Sequence, residues 1–188
     1  IVVALDVSGT MAAGDFQPRN RLEVAKEVVG EFVKRRTSDR VGLVVFAGRS
    51  LTKSPPTTDT AVLLRQLDDV RLEMLPDGTA IGSGLATALT RLRRSEAKRK
   101  VIVLATDGDN NAGEIDPATA ADMAKAMEVR VYTILVGRGG RVPMPGSSRP
   151  AAWALLPRPA RRRFRRRRKS HDHPSDPPSG MPARPRRR

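Results

Sequence analysis

The chain alternates short continuous apolar runs with stretches whose apolar residues recur every three or four positions. Residues 1–5, 40–47, 101–105 and 129–136 are runs of the first kind. Bounded by turn residues, they predict strands buried on both faces, as in a parallel sheet. Residues 51–54 predict a short edge strand stopped by Pro55 and Pro56. In the first periodic stretch Leu22, Ala25, Val29, Phe32 and Val33 form one helix face, with Pro18 as a suitable first helical residue. Arg19, Arg21, Lys26, Glu27, Lys34 and Arg35 are mostly its solvated remainder. Thr58 or Asp59 caps a second helix to about Leu67. The run at 77–84 opens a third, with Ile81, Leu85, Ala88, Leu89 and Leu92 inward. Asp116 and Pro117 start a fourth, with Ala120, Met123, Ala124 and Met127 inward. Strands alternating with helices predict an α/β fold, a doubly wound and mainly parallel sheet with helices on both faces. Right-handed crossovers place the carboxyl ends of the first strand and of strand 101–106 on one rim.

That rim gathers the candidate chemistry. Asp6, Ser8 and Thr10 leave the first strand at alternate positions, so in extended chain they point the same way. Thr79 follows Gly78 before a helix, and Asp107 ends strand 101–106. Two carboxylates and three hydroxyls suit a hard dication, Mg²⁺ or else Mn²⁺ or Ca²⁺, in an oxygen shell. Blander roles exist for three of them: a loop acid or helix cap for Asp6, a helix cap for Thr79, an Asx-turn for Asp107. Asp109, Asn110 and Asn111 are assigned to the loop and left out of the site. The glycines of G-T-A-I-G-S-G are read as permitting close helix approach, because the lysine of a phosphate-binding loop is missing.

Composition narrows the choice. There is no Cys, and both His171 and His173 lie near the carboxyl end, which excludes thiolate and histidine sites from the body. No apolar run is long enough for a membrane span. The chain begins inside a strand and is expected to be a fragment. The net charge of +15 is uneven: residues 1–148 hold 21 Lys and Arg against 18 Asp and Glu, while residues 149–188 hold 14 against 2. The basic character therefore belongs to the tail, and nucleic acid is expected as a partner only there, not for the body.

D-V-S-G-T-M, D-G-T and T-D-G, in this order, resemble the metal-ion-dependent adhesion site of a von Willebrand factor type A (VWFA) domain. The likeness covers residues 1 to about 140. Its ligands carry over to Asp6, Ser8, Thr10, Thr79 and Asp107, with Thr10 where the family usually has Ser. N-R-L-E-V-A-K, D-R-V-G-L-V-V-F-A-G, L-P-D-G-T-A-I-G and N-N-A-G-E-I-D-P look most like bacterial aerotolerance-operon (Bat-type) proteins. The resemblance implies no catalysis. It implies a cation bridging to an acidic residue of a partner protein, membrane anchoring by segments outside this domain, and association with AAA+ ATPases of the MoxR type and sister VWFA proteins. The alternative is haloacid-dehalogenase-like phosphotransfer. D-V-S-G-T resembles the phosphorylated loop of that family, with Asp6 as nucleophile and Asp107 as Mg²⁺ ligand. Val7 and Asn111 depart from its pattern, and it gives residues 77–79 no role.

The domain is expected to span residues 1–142, lacking the last helix and edge strand that the resemblance implies. Residues 143–188 form an Arg- and Pro-rich tail without hydrophobic periodicity, expected to be disordered. Its composition is what out-of-frame translation of a GC-rich message would produce.

Overall fold

Val2–Asp6 (β1) is buried along its whole length and lies at the centre of the sheet. The structure, a computed structural model, describes residues 1–108 and 110–137. In chain order these residues form β1, α1 (Arg21–Lys34), β2 (Val41–Phe46), β3 (Ser50–Thr57), α2 (Thr60–Asp68), α3 (Ile81–Arg93), β4 (Lys100–Thr106), α4 (Pro117–Ala126) and β5 (Val129–Leu135). The strand order is β3-β2-β1-β4-β5, with only β3 antiparallel. The expectations for Asp109, for the end of the domain at 138–142 and for the tail at 143–188 lie outside the described residues.

Alternation along β1 divides the core between two faces. Val3 and Leu5 join Leu43 and Val45 against Leu22, Val29 and Val33 of α1 and Leu63 and Leu67 of α2. Val2 and Ala4 join Val44 and Phe46 against Leu85, Ala88, Leu89 and Leu92 of α3 and Ala120 and Ala124 of α4. This is the doubly wound arrangement that the pattern predicts. Two glycines let α3 approach closely. A Cβ on Gly84 would meet the Phe46 ring at 2.8 Å, and one on Gly82 would meet the Ile115 carbonyl oxygen at 1.9 Å.

Several local expectations are corrected. Pro18 does not start α1; it lies in a turn closed by Phe16 and Arg19. Asn20 caps the helix instead: its side chain accepts from Glu23 N at 2.8 Å, while Glu23 accepts from Asn20 N at 2.9 Å. Pro55 and Pro56 do not stop β3. They lie within an edge strand, where the ladder to β2 shifts register around Gly42 and regular pairing is already lost. Met123 faces solvent, 40% exposed, because α4 buries only its alanines. β5 buries Val129 but leaves Tyr132, Ile134 and Leu135 exposed.

Candidate functional site

The site begins where β1 ends. After Asp6 the chain turns into one short 3-10 segment, Gly9–Ala12, closed by Met11 N donating to Ser8 O at 3.0 Å. Met11 is fully buried and anchors the turn in the core. Ser8 and Thr10 therefore converge through a turn, not through extended chain: their hydroxyls are 3.1 Å apart. The Thr10 hydroxyl in turn donates to Asp107 Oδ1 at 2.8 Å, across 97 residues of sequence. The parallel pairing of β1 with β4 makes this contact possible by bringing both carboxyl ends to one rim.

Asp6 has no exposed surface. Its Oδ1 accepts from Ser8 N at 2.9 Å and its Oδ2 from the Thr106 hydroxyl at 2.6 Å. Burial pushes the Asp6 carboxyl above its ordinary pKa; the bonds from Ser8 and Thr106 oppose that rise, and the nearby Asp107 charge adds to it. A phosphotransfer nucleophile needs an open line of approach. A fully buried Asp6 with both oxygens bonded offers none.

Thr79 belongs to a loop tied to the end of β2 by Gly48 N donating to Pro76 O at 2.8 Å and Ala80 N donating to Ala47 O at 2.7 Å. Its backbone is pinned to the third loop: Thr79 N donates to Asn111 Oδ1 at 2.7 Å and Asn111 N to Thr79 O at 3.0 Å. Thr79 is not the cap of α3. Asn110 Oδ1 fills that role by accepting from Ile81 N at 2.8 Å. Asn110 and Asn111 thus hold two of the three loops together, which the sequence reading missed. Ser8, Thr10 and Thr79 line one open cleft of about 540 Å³, with Asn20, Asp77 and Asn111 also on its walls. Four of the five candidates, Asp6, Ser8, Thr10 and Asp107, are linked by hydrogen bonds directly or through Thr106 and the Ser8 backbone. Thr79 shares the cleft without a bond to the other four among the described residues.

The largest departure from expectation is Arg21. It is 2% exposed, and its Nη1 donates to Asp107 Oδ2 at 2.6 Å while its Nε donates to Asp15 Oδ1 at 2.9 Å. The signal was in the periodicity: Arg21 lies four residues before Ala25 and eight before Val29, on the buried stripe.

Among the described residues no group of three or more His, Cys, Asp or Glu could hold a metal ion. The hydroxyl-rich set fits a small hard dication on different grounds. With Mg–O distances of about 2.1 Å, neighbouring corners of an octahedral shell lie roughly 3.0 Å apart. The Ser8–Thr10 and Thr10–Asp107 oxygen spacings, 3.1 and 2.8 Å, are those of ordinary hydrogen bonds and are also compatible with that edge, so an ion could replace the bonds with little movement of the oxygens. Asp6, Asp107 and Asp15 surround one buried cation, Arg21, and Asp77 and Glu73 stand on the cleft wall, so the site is acidic on balance.

A family model described as the von Willebrand factor type A domain matches residues 1–110. Two solved structures are similar over most of the chain. An aerotolerance-related membrane protein from Bacteroides fragilis is 33% identical, with a TM-score of 0.70, covering 79% of this chain and 73% of that one. BatB from Bacteroides thetaiotaomicron, described as a conserved hypothetical protein, is 32% identical with a TM-score of 0.71, covering 79% and 71%. An uncharacterized protein of Borreliella burgdorferi is 39% identical over 137 residues, which is 73% of this chain and 40% of that protein. The chain spans less than half the length of the curated relatives it matches. Among the described residues no helix is long and apolar enough to cross a membrane.

Proposed function

The chain belongs to the von Willebrand factor type A family, and from that premise we propose that it is a protein-binding module whose grip depends on a divalent cation. The observation that supports the reading is the oxygen chain from Ser8 through Thr10 to Asp107: the two hydroxyls lie on the wall of an open cleft, and the buried Asp107 carboxylate lies behind them. Asp6 and Asp107 would supply charge, and Ser8, Thr10 and Thr79 neutral oxygens. Mg²⁺ is the first choice, with Mn²⁺ or Ca²⁺ as alternatives. A bound dication would supply one electrophilic position facing the cleft, where a partner protein's carboxylate completes the shell. The Asp6 and Asp107 carboxylates already accept strong bonds from Thr106 and Arg21, so contact through water is favoured for them. That would leave the ion poorly neutralised and receptive to an outside acid.

Similarity to aerotolerance-related membrane proteins supports placing the parent protein in a membrane-associated stress complex. Sister VWFA proteins and an AAA+ ATPase of the MoxR type are the partners that the resemblance implies. The test is a pull-down from solubilised membranes with the chain as bait, in Mg²⁺ and in chelator. A partner retained in Mg²⁺, released by chelator and lost with Asp6→Asn supports the proposal. Retention that ignores both treatments rejects it.

A further inference from the structure

Arg21 is a buried cation in the one place where a second cation is proposed to bind. Its guanidinium is held on three sides. Asp15 accepts from both Nε and Nη2, at 2.9 to 3.1 Å, and Asp107 Oδ2 accepts from Nη1. On the third side lies Gly137, just after β5, where an added Cβ would meet the Arg21 Nε at 3.2 Å. Asp15 and Asp107 are themselves buried, with side chains 5% and 0% exposed. An arginine so fixed stays charged, and it leaves only Asp107 Oδ1 facing the Thr10 hydroxyl.

We infer that Arg21 is a positioning residue that acts as the site's built-in counter-cation: braced by Asp15, it selects which Asp107 oxygen faces the hydroxyls and holds the affinity for a dication down. The inference rests on the cation-site reading above. Its physical basis is like-charge repulsion at short range in a poorly solvated site, which weakens the second cation. Asp15 moderates the effect by sharing the guanidinium. A cation site so restrained releases its ion readily, and partner binding would then supply much of what holds the ion in place.

The two neutralising substitutions should move the affinity in opposite directions, which a purely structural salt bridge would not do. Calorimetric titration with MgCl₂ alone, on chain first shown folded by circular dichroism, reads the result. Arg21→Gln should bind Mg²⁺ at least tenfold more tightly than the parent, even with a lower unfolding temperature in chelator. Arg21→Lys should stay within about threefold. Asp15→Asn, the milder change, should bind at least threefold more weakly, because the whole guanidinium charge then bears on Asp107. Unchanged affinity in both neutral variants, or weakening in both, overturns the inference while leaving the cation site standing. Absence of Mg²⁺ binding by the parent chain removes the cation site and the inference with it. If Arg21→Gln does not fold, Arg21→Met, which also removes the charge and keeps much of the apolar stem, takes its place and should tighten Mg²⁺ binding likewise; no tightening there overturns the inference.

Discussion

Thr106→Val tests how the rim holds Asp6. Thr106 is 4% exposed, and its hydroxyl donates to Asp6 Oδ2 at 2.6 Å and accepts a longer bond from Gly108 N at 3.4 Å. Valine keeps the shape and suits a strand, so no cavity opens. What changes is that a fully buried carboxylate loses a charge-assisted bond. Hydrogen bonds to charged groups contribute about 1.5–3 kcal/mol, and an orphaned buried acceptor costs a similar amount. A loss of about 2 kcal/mol is expected, or a fall of roughly 6–10 °C in unfolding temperature for a domain of this size. Urea unfolding in chelator measures it without metal linkage. Thr133→Val on the exposed face of β5 is the control and should change stability by no more than about 0.5 kcal/mol. On an Asp6→Asn background the cost of Thr106→Val should at least halve, because the charge is gone. If Thr106→Val behaves like Thr133→Val, or costs the same in the parent and on the Asp6→Asn background, the Asp6–Thr106 bond does not support the rim.

Other perturbations follow from the packing. Gly84→Ala would press a methyl into the Phe46 ring at 2.8 Å and should cost about 1–3 kcal/mol in urea unfolding. Asp59→Ala removes the acceptor for Val62 N at the start of α2 and should cost about 1 kcal/mol, with a matching loss of helical ellipticity before the main transition. Tyr132→Lys with Leu135→Lys should raise solubility and suppress light scattering on concentration, because β5 ends the described sheet with exposed apolar side chains.

The layered fold was legible because it depends on what sequence shows directly: apolar runs for central strands and three- and four-residue spacing for helices. β1 and β2 are buried where the runs lie, β4 is buried at Ile102, Leu104 and Ala105 with Val101 and Val103 partly exposed, and α3 turns inward the residues its spacing selects. The misses arise where tertiary context decides. Local rules make Pro18 a helix start and Pro55 a strand stop, but one sits in a tight turn and the other at an irregular edge of the sheet. Periodicity turns Met123 inward, yet the small face of α4 packs through Ala120 and Ala124. At the rim, Asp6, Ser8, Thr10 and Asp107 could be nominated from their oxygens and strand ends. Their hydrogen-bond partners could not: Thr106 reads as strand, Asn110 and Asn111 as loop, and Arg21 as solvent-facing helix. Each of these owes its role to a residue at least 29 positions away.

Crystals of the chain soaked in Mn²⁺, with anomalous diffraction collected at the manganese edge, test the central claim most directly. The account predicts one strong peak within coordination distance of the Ser8 and Thr10 hydroxyls, beside Thr79 and Asp107, that vanishes in Asp6→Asn crystals. No peak at millimolar Mn²⁺, or a peak held by other residues with these five side chains left uninvolved, would contradict it.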